Sequence, residues 1–185
     1  PCESMAPLTG KVMAWTNLGI LPVSPMTNTP LANIRVTSSV GSAYTDANGN
    51  FSIPYSGSSA VTVNATLVGR HSLRVRVASG TQMSASASVT PGTPATIQFG
   101  SSSMGENDRS QTTTYWHVDD ANVWVRSLLP GATSQMNNIS NINPRVNINS
   151  NCNAYYTSNT INFYTTGGGC NMTAFQTVIV HEWGH

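Results

Sequence analysis

Between Leu8 and Phe99 apolar and polar residues alternate in short runs separated by Gly, Pro and Asn. The runs are Gly10–Trp15, Asn33–Thr37, Asn50–Ile53, Val61–Leu67, Ser72–Val77, Ser84–Val89 and Ala95–Phe99. A period of two turns one face of each run toward a core and the other toward water, the pattern of a half-buried strand. Turn residues recur every 8 to 15 positions and no helical period intervenes. The chain is therefore expected to be mainly β, with an antiparallel β-sandwich over residues 8–100.

Residues 101–113 are polar and carry a glycine, which reads as a linker. The period then changes. Tyr115, Val118, Asn122, Val125 and Leu129 fall on one helical stripe, His117, Ala121, Trp124 and Leu128 on its neighbour, and Pro130-Gly131 ends the pattern. This predicts a core helix over 114–129, with His117 a hydrogen-bonded core histidine. Three strand candidates come next, Arg145–Asn149, Asn153–Tyr156 and Thr160–Tyr164, and then a second helix. Thr173 and Gln176 stand at capping-box spacing ahead of Phe175, Val178 and Ile179, which supply its buried stripe. Helix, strands, helix makes residues 114–185 an α+β unit.

Composition changes the picture in one respect. Charged residues make up only 8% of the 185, against the usual quarter, while 39% are hydrophobic. A net charge of +1 without a basic run argues against nucleic-acid binding, and no run approaches the 18 apolar residues of a membrane span. One lysine, Lys11, among many Ser, Thr and Asn suits a secreted or cell-surface protein. Cys152 and Cys170 flank a strand and its loop and are expected to be bridged, which fits an oxidising compartment. Cys2 is left over, and the start on Pro1 without a signal sequence reads as a fragment of a longer protein. Asp46, Asn48 and Asn50 offer oxygens to a calcium ion, but an Asn-Gly turn explains them without one. Arg70, His71, Arg74 and Arg76 read as solvent-facing sheet positions.

The chemistry is concentrated at the end of the chain, in His181-Glu-Trp-Gly-His185. On a helix, positions i and i+4 share a face, so His181 and His185 are placed to hold one Zn2+ between them. Glu182 lies beside that face, where it can take a proton from metal-bound water rather than bind the metal. With four histidines in the chain, shuffling would give this motif on the order of once in a thousand chains.

Particular residues carry two resemblances. Thr45–Ile53, preceded by the Leu31–Val36 strand, resembles the carboxypeptidase regulatory-like domain, which implies a transthyretin-like sandwich. Residues 114–185 resemble the gluzincin metallopeptidases, thermolysin and its fungalysin-like relatives, through His181-Glu-Trp-Gly-His185 and through Asn153-Ala-Tyr-Tyr156, which is similar to the edge strand of that family's cleft. The resemblance implies a zincin catalytic half-domain and a secreted zinc endopeptidase. It also implies that Asn153, Ala154 and Tyr155 bind an extended protein or peptide substrate by strand addition. The third zinc ligand would be a glutamate of a later helix, without which the fragment is expected to be inactive. The triple glycine, Gly167–Gly169, departs from the acidic sequence of thermolysin, so its calcium sites are not carried over. A metzincin is the alternative within the enzyme class. A surface-binding module with a degenerate peptidase half is the alternative outside it.

Overall fold

In the computed structural model, which describes residues 6–131, 134, 136 and 141–185, the chain is mainly β with three four-stranded sheets. The first is organised by β1 (Leu8–Asn17). Its amino-terminal half pairs antiparallel with β5 (Asn50–Ile53), and its carboxy-terminal half with β2 (Met26–Pro30). Its other edge runs parallel to β9 (Ala95–Phe99). Leu8, Val12 and Ala14 are fully buried at alternate positions, the period of two read from the sequence. Gly10 is required within that series, because a Cβ there would collide with the Ala95 carbonyl oxygen and the Phe51 ring.

The second sheet has the order β4 (Gly41–Tyr44), β3 (Ile34–Ser38), β6 (Val61–Gly69), β8 (Ser84–Val89), antiparallel throughout. Val36, Val63, Ala65 and Leu67 meet Val12, Phe51, Ile53 and Ile97 of the first sheet in one buried cluster. The 46–50 turn needs no ion. Asp46 accepts hydrogen bonds from the Asn48 and Asn50 amides, both at 2.9 Å, while Gly49 takes a φ of 78° that its neighbours would resist.

The third sheet has the order β11 (Ala154–Thr157), β12 (Thr160–Tyr164), β10 (Asn143–Ile148), β7 (Arg76–Val77). The wholly antiparallel arrangement expected for the β region is therefore corrected in two places, where β9 runs parallel to β1 and β7 runs parallel to β10. Only two residues of the expected 72–77 strand belong to a sheet, because Leu73 and Val75 bond back to Gly69 and Leu67 in a tight return. Arg70, Arg74 and Arg76 are exposed, as expected, and Arg70 lies over the Tyr44 ring at 4.4 Å. Only Arg76 stands in a named strand, however, and His71 is a half-buried turn residue with a φ of 60° rather than a solvent-facing sheet position.

Helix α1 spans Glu106–Leu128, so it occupies most of the segment read as a linker. Gly105 opens it, with Glu106 and Asp108 in the first turn where carboxylates favour the positive end of the helix dipole. From Ser110 to Thr114 it is buried, largely through polar contacts. Thr112 Oγ1 donates to the Trp15 carbonyl, Thr113 Oγ1 accepts from the Asn17 amide, and His117 Nε2 donates to the Asn17 carbonyl at 2.9 Å. His117 is thus the hydrogen-bonded core residue the sequence suggested. The same helix buries Tyr115 and Val118 in the cluster that holds Leu8, Val36 and Ile97. Its far end is different: Trp124, Leu128 and Leu129, expected on the buried stripe, are exposed, and no described element packs over them. The β7–β10 pairing and the buried side of α1 tie residues 8–99 to the carboxy-terminal strands, so the core runs without a break across residues 101–113.

Candidate metal centre

Helix α2 (Gln176–Gly184) is set between α1 on one side and β11 and β12 on the other. It begins two residues later than the capping-box spacing implied. Phe175 is the N-cap and makes no side-chain capping bond. Thr173 is otherwise engaged: its Oγ1 accepts from the Tyr164 amide at 2.8 Å and lies 3.1 Å from the Asn153 carbonyl. A hydroxyl that ties two strands together is not free to turn toward a helix end.

Three side chains fix the orientation of α2. Ile179 is fully buried in the core, Glu182 is 6% exposed, and Trp183 packs against the core and donates from Nε1 to Asn122 Oδ1 of α1 at 3.0 Å. These are positions i, i+3 and i+4 of one face. The adjoining face carries His181 and His185, both exposed. Their Nε2 atoms lie 3.2 Å apart and their rings meet edge to face at 4.8 Å. Two nitrogens each about 2.0–2.1 Å from a tetrahedral zinc ion stand roughly 3.4 Å from one another, so the pair fits as two ligands of one such ion. Among the described residues no third His, Cys, Asp or Glu forms a cluster with them.

His181 and Glu182 line an open groove of about 450 Å³ together with Cys152, Asn153, Ala154, Thr173, Thr177 and Val178. The structure thus brings together the two histidines, Glu182, Asn153 and Ala154. β11 is the edge strand of its sheet, and its outer side is unpaired among the described residues. Asn153 stands just before it, with its carbonyl near Thr173 rather than open to a partner. Tyr155 is placed apart from the groove, edge-on to Tyr164 at 6.0 Å on the opposite face of the strand. Its neighbour Tyr156 is the aromatic that meets the histidine pair at His185, stacked on that ring at 6.4 Å and 25°. The period of two held the signal, since Ala154 and Tyr156 share a strand face.

β11 and β12 are joined by Ser158 and Asn159, both with positive φ, the tight turn that matches strand twist and fixes the register of the edge. At one wall of the groove, Cys152 is bonded to Cys170 as expected, with Cα atoms 5.2 Å apart. The bridge fastens the entry of the edge strand to the loop leading into α2, and closing such a loop stabilises the fold by roughly 3 kcal/mol. Cys2 lies outside the described residues. No helix among the described residues is long and apolar enough to cross a membrane. No protein-family model and no curated protein matches the chain, so the reading of this site stands on its own residues and geometry.

Proposed function

We propose that the chain carries the amino-terminal part of a secreted zinc endopeptidase catalytic unit, placed after a transthyretin-like β-sandwich. The observation that carries the reading is the pairing of His181 and His185 Nε2 atoms 3.2 Å apart, with Glu182 facing the same groove as Asn153 and Ala154. Two imidazoles at that separation on adjacent turns suit a single metal ion better than any structural role, because neither ring is buried or bonded to the core.

His181 and His185 would hold zinc through Nε2, and a glutamate of a later helix would complete the protein ligands. Zinc held there would supply Lewis acidity, polarising the scissile carbonyl and making the attacking water easier to deprotonate near neutral pH. Glu182 then takes a proton from the attacking water at its carboxylate and delivers it to the leaving amine nitrogen. The unpaired side of β11 aligns an extended peptide, whose backbone adds as a further strand while side chains enter the groove alternately. Trp183, bonded to Asn122, keeps α2 from rotating and so holds Glu182 toward the groove.

Zinc binding to the 185-residue chain, measured by competition with a chromogenic chelator, is expected to be weak and to disappear in His181→Ala and His185→Ala. Glu182→Gln should leave it unchanged. In a chain extended to carry the third ligand, Glu182→Gln is expected to retain zinc and lower the rate of casein hydrolysis by about a hundredfold or more. A zinc-loaded Glu182→Gln enzyme as fast as its parent would refute the assignment and favour a binding module.

A further inference from the structure

Away from the metal groove, a cavity of about 480 Å³ opens between the 29–33 segment and α1. Its walls are largely apolar, with Pro30, Leu31, Trp116 and Val123 among them, and Asp119 and Asp120 are its two charged side chains among the described residues. No described Lys, Arg or His lines it. Asp119 is only 6% exposed, and both its oxygens accept from one donor, Asn33 Nδ2, at 3.2 Å. A carboxylate has about four acceptor sites, so this shared hydrogen bond leaves most of its capacity unused. A buried carboxylate without a cation is uncommon, because losing hydration is uncompensated.

We propose that this cavity binds a primary alkylammonium group, with Asp119 as its counter-ion. Three features select that chemistry. The ammonium supplies the missing positive charge and three donors to Asp119. Asp120, exposed at the rim, draws a cation inward. Trp116 and the aliphatic walls accommodate an apolar stem, and an indole face attracts a cation directly. A calcium-like ion is a poor occupant, since it requires six to eight oxygen ligands and the walls are mostly carbon. The site is preorganised: Asn33, at a φ of 57°, is held by its amide on the Thr45 carbonyl and by its carbonyl on the Arg70 amide.

The described titratable groups around Asp119 are few. Asp120, Tyr115 and His117 lie on its own helix, and from the opposing sheet come Tyr44 and Arg70, whose guanidinium is engaged over the Tyr44 ring. Burial pushes the Asp119 carboxyl up to about 6, with Asn33 working against it and Asp120 with it. Binding is therefore strongest when Asp119 is ionised. At pH 5.0, with a pKa of about 6, roughly one molecule in ten is ionised, so affinity should fall about tenfold from its value at pH 7.5.

The test titrates n-butylammonium chloride into the full chain and follows the Trp116 indole and Asn33 side-chain amide resonances by NMR. The expected result is a saturable shift at pH 7.5, about tenfold weaker binding at pH 5.0, and loss of binding in Asp119→Asn. That variant keeps an oxygen for Asn33 and should retain the parent's spectral dispersion. Asp120→Asn, at an exposed position, should weaken binding severalfold. Tighter binding of Nα-acetyl-lysine methylamide than of n-butylammonium would make a lysine side chain the natural occupant, and the reverse order a free amine. Absence of a saturable shift, equal affinity for n-butanol, or parent-like affinity in a folded Asp119→Asn would overturn the proposal.

Discussion

The two halves of α1 treat their side chains in opposite ways. Ser110 to Thr114 are five successive polar residues, none more than 2% exposed, whereas Val123, Trp124, Leu128 and Leu129 are 46–59% exposed on the same helix. Hydrophobicity alone would have assigned them in reverse. What differs is the surface each half meets. The first half faces the end of β1 and the 79–83 segment, which present backbone amides and carbonyls that lack strand partners. Only side chains with donors and acceptors can cover such a surface without stranding it. Along the second half Asn122 and Arg126 still find partners, in the Trp183 indole and the Met136 carbonyl, but no described element covers Trp124, Leu128 and Leu129, so these apolar side chains stay largely in solvent.

The largest loss is expected from removing the busiest polar contact of the first half. Gln111 accepts from the Met83 amide and from Gln82 Nε2, and donates to the carbonyls of Thr81 and Asn107. Gln111→Ala leaves several of these groups buried without partners and opens a void, which should cost about 3 kcal/mol. Urea unfolding with an unchanged slope would measure it. A loss under 1 kcal/mol would mean that water replaces the side chain easily and that the amino-terminal half is less tightly packed than its burial indicates.

Asp119 sits on the boundary between the halves and provides the next largest effect. Its pKa is raised from the ordinary 3.8 to about 6, so the folded chain binds the proton more tightly than the unfolded one. The stabilisation is full below about pH 4 and is lost as pH rises through 6. Asp119→Asn has no charge to bury and should gain up to about 3 kcal/mol at pH 8, with little gain at pH 4. His117, whose pKa is lowered chiefly by burial, acts with the opposite sign in both proteins and cancels in the difference. A difference independent of pH would show that Asp119 is not desolvated.

Asn122 gives a smaller and more local effect. It is 2% exposed, and its Oδ1 receives the Trp183 indole N–H. Asn122→Ala should cost roughly 1–2 kcal/mol and loosen α2. If α2 is what positions the histidine pair, zinc affinity should weaken with it, whereas unchanged affinity would separate the metal site from this support.

Much of the β framework was legible because alternation depends on one residue at a time. The strands at 10–15, 33–37, 50–53, 61–67, 84–89 and 95–99 all lie within or across observed strands. β2 and β4 were not legible. Met26–Pro30 is dominated by Thr and Asn, and Gly41–Tyr44 is mostly exposed, so neither carries an apolar face. The start of α1 was hidden for the same reason, since its buried face is Ser, Gln and Thr. The failed capping box is a case of competition: Thr173 found strand partners that no local pattern announces. At the candidate metal site, spacing along the sequence sufficed to place His181 and His185 side by side on one helix, because i and i+4 is a local relation. The stacking of Tyr156 on His185 depends on how an edge strand lies against α2. That placement is set by the β11–β12 hairpin, the disulfide and Thr173 acting together.

The smallest effect is expected at Trp124, on the uncovered half of α1. It is a large apolar residue at 59% exposure, and Trp and Ser have similar helix propensities. If the carboxy-terminal half of α1 is as uncovered in solution as its exposure indicates, Trp124→Ser removes little buried area and leaves no internal cavity. Stability should then change by less than about 0.5 kcal/mol, the range of ordinary surface substitutions. Urea midpoints of variant and parent, measured at equal protein concentration, decide the matter. A loss above 1 kcal/mol would show that this face is covered in solution, and the contrast between the halves would become one of partner identity rather than of burial. The same measurement at two protein concentrations distinguishes the sources of such cover. A loss that grows with concentration marks contact between copies of the chain, and a constant loss marks packing within one copy.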